Sequence, residues 1–133
     1  MTKEWQQATS AADLTQIRAM LAGGQNVDAR DGHGQTALMN AARSGQEEVV
    51  RVLVDAGADL NVTAKYNLTA LMLAIINGHA PTAELLVKVG ADAGVRASGA
   101  PGFSGKTALD LAQELGLREV AAGIRRRHRA GAG

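Results

Sequence analysis

Glycines recur in this chain at a fixed interval of 33 residues, at Gly24, Gly57 and Gly90. Gly45 and Gly78 keep the same interval, as do Thr36 and Thr69. The next copies, Thr107 and Gly116, follow at 38, so five residues are inserted before them. This period constrains the fold more than any other feature. Each copy is one small supersecondary unit that can bury its apolar face only against its neighbours.

One unit covers residues 31–63, DGHGQTALMNAARSGQEEVVRVLVDAGADLNVT. Gly34 permits a tight turn, and Thr36 can cap a helix whose first residue is Ala37. Leu38, Ala41 and Ala42 carry that helix to Gly45, which ends it in a left-handed conformation. A second helix is predicted over about 46–56, because Val49, Val50, Leu53 and Val54 recur on one helical face. Gly57 stops it, and residues 58–61 lead into the next copy.

The second copy spans 64–96 and contains TALMLAIINGHAPTAELLVKVGAD; a shorter third copy, GKTALDLAQELGLREVAAGI, starts near Gly105. The segment before the first full unit also fits at an offset of 33. Trp5 then aligns with Leu38, Ile17 with Val50, Met20 with Leu53, and residues 24–28 with 57–61. This first copy lacks a hairpin and reads as an N-terminal cap, with Trp5 filling a core leucine position.

The shared pattern D-x-x-G-x-T-A-L-x-x-A-A-x-x-G-x-x-x-V-V-x-x-L-V-x-x-G-A-D-L-N resembles the ankyrin repeat over about residues 3–125. The resemblance implies an all-α solenoid of antiparallel helix pairs with short β-hairpin fingers. Its expected units are a cap repeat at 1–30, full repeats at 31–63 and 64–101, and a C-terminal cap at 102–125. A basic flexible tail at 126–133 follows this single domain. Where the family has Thr-Pro-Leu-His, this chain has Thr36-Ala37-Leu38-Met39, Thr69-Ala70-Leu71-Met72 and Thr107-Ala108-Leu109-Asp110. Losing Pro removes some preorganisation, while Thr107-x-x-Asp110 reads as a capping box. Ala64 and Asn67 replace the family's Asp and Gly in the second finger. Asn tolerates a left-handed turn, so that hairpin is expected to survive but to be looser.

Composition agrees with close helix packing: 26 alanines and 16 glycines make about a third of the 133 residues. Cysteine is absent, which excludes disulfides, Cys-zinc sites and cysteine nucleophiles. Three aromatics are too few for the stacking surfaces of RNA-binding sheets or for an aromatic-lined cofactor pocket. No apolar stretch is long enough to span a bilayer. The first 14 residues lack an apolar run with a cleavage site. A cytoplasmic, monomeric protein is the expectation.

Net charge is +1, yet Arg125, Arg126, Arg127 and Arg129 stand near the end. Residues 1–124 carry 10 basic against 13 acidic side chains, a mildly acidic body unlike that of a duplex-binding domain. The arginine tail suits a helix C-terminus and offers, as an alternative function, contact with nucleic acid or an anionic surface.

Residues 100–107, APGFSGKT, formally match a phosphate-binding loop. That mechanism needs a buried strand before the loop, and residues 90–98 do not read as one. Gly105 and Thr107 are already accounted for by the repeat, where they align with Gly34 and Thr36. The match is accidental, and a nucleotide-binding role is the least favoured reading. His33, His79 and His128 have no partner at metal-ligand spacing, and no nucleophile has a base beside it. No enzyme activity, cofactor or metal is expected.

Function then rests on the positions that the repeat leaves free. In the family, finger tips and the exposed side of each first helix form a concave protein-binding face. In the first full repeat these are Arg30, His33, Gln35, Asn40, Arg43 and Ser44. In the second they are Lys65, Tyr66, Leu68, Leu73, Ile76 and Asn77, and the lengthened third finger adds Phe103 and Lys106. Apolar and aromatic groups that a core does not require are those expected to make binding hot spots. The reading is therefore a non-catalytic adaptor or inhibitor of a protein partner. Tyr66, Leu68, Ile76 and Phe103 would form one apolar patch, rimmed by Arg30, Arg43, Lys65 and Lys106.

Overall fold

The computed structural model describes residues 1–99 and 102–132, with 128–132 as backbone alone. Eight α-helices form in these residues: α1 Lys3–Ser10, α2 Leu14–Ala22, α3 Ala37–Ser44, α4 Glu47–Asp55, α5 Ala70–Ile76, α6 Ala80–Lys88, α7 Ala108–Glu114 and α8 Arg118–Ala132. They make four consecutive pairs, each joined by a turn of two or three residues, short enough to bring the partners back antiparallel. Helices α1, α3, α5 and α7 stack as one layer, and α2, α4, α6 and α8 as the other.

The capping chemistry repeats with the sequence. The hydroxyls of Thr36, Thr69 and Thr107 accept from the backbone N–H three residues on and start α3, α5 and α7. At Thr107 the bond is returned: its own N–H donates to Asp110 Oδ2 at 3.0 Å, completing the expected capping box. Gly45, with φ 71°, ends α3 in the left-handed region. There a side chain would be strained, and its β-carbon would lie 2.5 Å from Nδ1 of His79. Small residues set the spacing between layers. Ala37, Ala41, Ala42, Ala70, Ala74, Ala108 and Ala112 are all buried, as are Leu38, Leu53, Leu71 and Leu86. Trp5 is fully buried, as its alignment with Leu38 requires.

Loops join neighbouring repeats by a second periodic device. Asn26, Asp59 and Asp92 each accept the N–H two residues on, forming turns 33 residues apart. Across repeats, the Asp59 N–H donates to Asp28 Oδ1 at 2.9 Å and the Asp92 N–H to Asn61 Oδ1 at 2.8 Å.

Two expectations are corrected. The fingers are not β-hairpins: among the described residues the only bridge is a single one, Arg30 with Thr36. The second finger closes through the Ala64 N–H to Leu68 O and the third through backbone bonds at Ala97, with no paired strand among the described residues of either. The second finger is not loose; it is fastened to the third by two hydrogen bonds, given below. Helix α8 continues to Ala132, through most of the segment 126–133 expected as a basic tail. The register places the next helix-stopping glycine at 128, where the sequence has His, and α8 runs past the point at which Gly57 and Gly90 follow α4 and α6.

Candidate functional site

The first finger is built around Asp31. Its Oδ1 accepts from the N–H groups of His33 (2.8 Å) and Gln35 (3.0 Å), and its Oδ2 from the Asn40 amide at 3.4 Å. Partial burial works to raise the Asp31 carboxyl. The bonds from Gln35, His33 and Asn40, with the His33 charge, outweigh it and hold the group below 3.8. Gln35 also accepts from Arg43 Nη2. Gln35, Asn40 and Arg43 thus support the finger internally. Arg30 and His33 remain exposed, and Arg30 Nη1 lies 3.4 Å from Thr63 O at the base of the second finger.

In the second finger, Tyr66 (φ 64°) and Asn67 (φ 59°) both stand in the left-handed region. Asn67 was legible as a left-handed position, but Tyr66 was not, because a bulky aromatic rarely takes that conformation. The third finger over-determines it. Ser98 N–H donates to Tyr66 O at 2.7 Å, and the Asn67 amide donates to Arg96 O at 2.9 Å. The ring faces Gly99, where a β-carbon would sit 3.5 Å from Cδ1 of Tyr66. Lys65 Nζ is 4.9 Å from the ring centroid, within cation–π range. Tyr66 remains 39% exposed.

The third finger closes through Ala97 N–H to Lys106 O (2.9 Å) and Gly105 N–H to Ala97 O (2.8 Å). Arg96 Nη1 donates to Gly105 O at 2.8 Å. Lys106 Nζ is held by Glu114 at 2.8 Å, not by a phosphate-sized cradle, and residues 102–105 form turns. Ala100 and Pro101, the first two residues of the formal phosphate-loop match, lie outside the described residues.

The expected four-residue apolar patch is uneven. Tyr66 is exposed, whereas Leu68, Ile76 and Phe103 are half-buried and pack against the core. Leu73, expected on the free face, is buried at 7% exposure. Leucine at that register extends the core, whereas the aligned Asn40 stays half-buried. Asn77 is exposed, with its amide donating to Leu73 O at 2.8 Å. Two exposed apolar residues were missed: Val89, 38% exposed after α6, and Leu115, 52% exposed after α7. For Leu115 the signal was present in the 38-residue offset, which aligns it with Ser44 and Asn77.

Four stacked helix pairs, capped by threonine at one end and joined by short fingers, define a helical repeat solenoid. The family model of ankyrin repeats matches residues 6–97 in three copies, and the chain belongs to the ankyrin-repeat family. Repeats of this family are generally protein–protein interaction modules. A search of curated protein sequences finds no match to this chain. No helix among the described residues is long and apolar enough to cross a membrane.

Proposed function

We propose that the protein is a non-catalytic recognition module that seats a protein partner on its fingers and on the free ends of α3 and α5. The observation that carries this reading is Tyr66. Its ring is held outward in a left-handed backbone by the third finger and by Lys65, while the core makes no use of it. A rigid aromatic anchor with two rotatable bonds orders at low entropic cost when a partner covers it. Lys65 lies against the ring, and Arg30, His33 and Asn77 are exposed polar residues on the fingers and at the end of α5. Leu68, Ile76 and Phe103 are half-buried against the core, and Gln35, Asn40, Arg43 and Lys106 hold their neighbours in place. Action as a monomer on a cytoplasmic partner is part of the same proposal.

The test is affinity capture followed by titration of the captured partner against Tyr66→Ala and Lys65→Ala. Truncating an anchor should weaken binding at least tenfold, corresponding to about 1.4 kcal/mol. The thermal unfolding midpoint should move little, since both side chains are exposed. Loss of stability with unchanged affinity would overturn the assignment.

A further inference from the structure

We infer that the C-terminal end of the stack is a second docking site, a groove that takes a short aliphatic segment of a partner protein bearing carboxylates. An open groove of about 790 Å³ lies there, bordered by Ala91, Ala93, Leu109, Ile124, Arg125 and Arg127. That volume is in the range of ligand-sized clefts, roughly 300–1,000 Å³.

The groove has a cause in the repeat. After α4 and α6 the chain turns back at Gly57 and Gly90, and each following loop is received by the loop before it, through Asp28 and then Asn61. Gly94 stands at the third position of that series and has no side chain to receive another amide. Helix α8 runs on to Ala132 where the earlier helices stop, and among the described residues no further loop folds over residues 91–94. Leu109 tells the same story. Its counterparts Leu38 and Leu71 are 1% and 0% exposed beneath the next repeat, whereas Leu109 is only half-buried.

Charge selects the occupant. The register that holds Val54 and Val87 in the internal repeats holds Arg125 here, turning an apolar position into a cation at the groove's rim. Arg127 also lines the groove, its Nη1 3.4 Å from Lys88 O at the end of α6. Arg125, Arg126 and Arg127 are exposed, and none is in an ion pair among the described residues. Asp92 also lines the groove, its carboxylate accepting the Gly94 N–H at 2.8 Å. A largely apolar lining that also carries two guanidinium groups fits an aliphatic segment bearing carboxylates, which arginine can receive in bidentate fashion.

The experiment pans a random peptide library displayed on phage against the full chain, then measures the enriched peptides by fluorescence anisotropy. Enriched sequences should combine aspartate or glutamate with Leu, Ile or Val, and their affinity should fall with added salt. Arg125→Glu with Arg127→Glu should weaken binding more than tenfold, and Tyr66→Ala should leave it unchanged. Arg125→Glu alone, which keeps the Arg127 contact to α6, should weaken binding with no change in thermal unfolding. The inference is overturned if no peptide is enriched or the enriched ones lack acids. It is also overturned if binding survives charge reversal or depends on Tyr66. Concentration-dependent self-association abolished by the double variant would assign the groove to a second copy of the chain and overturn it too.

Discussion

At Gly45 two separate physical effects meet at one residue. Its φ of 71° disfavours any β-carbon, and the His79 imidazole occupies the space where that carbon would stand, 2.5 Å away. Gly57 has a similar φ of 88° with nothing within 4 Å. Alanine at Gly57 therefore meets backbone strain alone, about 1–2 kcal/mol. Alanine at Gly45 meets strain and a clash, so it should destabilise by about 1 kcal/mol more. Urea unfolding of the two variants checks the difference, and a His79→Ala background should remove it. An excess that persists without His79 would mean that the clash is not its source. Trp5 shows how one residue can be legible in place and not in chemistry. Alignment with Leu38 puts its ring in the core, but its indole N–H has no hydrogen-bond partner among the described residues. A leucine position supplies volume and no acceptor.

Each first helix is started by one threonine, and α7 shows what an added carboxylate does. The Thr107 backbone N–H donates to Asp110 and lowers its carboxyl pKa. Partial burial opposes that, while the Thr107 hydroxyl and the charges of Arg96 and Lys106 reinforce it. A carboxyl lowered in the folded state stabilises it above the unfolded value of 3.8. That contribution disappears as pH falls through the folded value. Asp110→Asn keeps an acceptor at the cap but does not titrate. Its thermal midpoint should therefore fall less steeply than the wild type between pH 5 and about pH 2. Asp31, lowered in the same direction, leaves part of the acid sensitivity in place. Parallel pH profiles for variant and wild type would refute a role for the Asp110 charge. The fingers are the elements that sequence described least well. Their turn residues were legible, but a single bridge replaced the expected hairpin. The bonds that fix the second finger come from Arg96 and Ser98, about 30 residues away.

Across the whole molecule, stability in a repeat stack is a sum of unit and interface contributions. The Asp28 and Asn61 acceptors belong to the interfaces. Replacing either with alanine leaves a loop amide without its partner and should cost about 1 kcal/mol, read by urea unfolding. Hydrogen exchange separates the two: Asn61→Ala should speed exchange at the Asp92 amide, and Asp28→Ala at the Asp59 amide. Unchanged protection at both would show that packing alone couples the repeats. The sequence by itself determined the period, the helix starts at Thr36, Thr69 and Thr107, the glycine stops and the buried alanines. Each of these follows from local backbone preference or from a face repeated at helical spacing. Only the tertiary structure decided which free positions stay exposed. Leu73 sank into the core while Tyr66 stayed out, and the last repeat was left open beside Arg125. Exposure depends on what the next repeat covers, and that contact joins residues a full repeat apart in the chain.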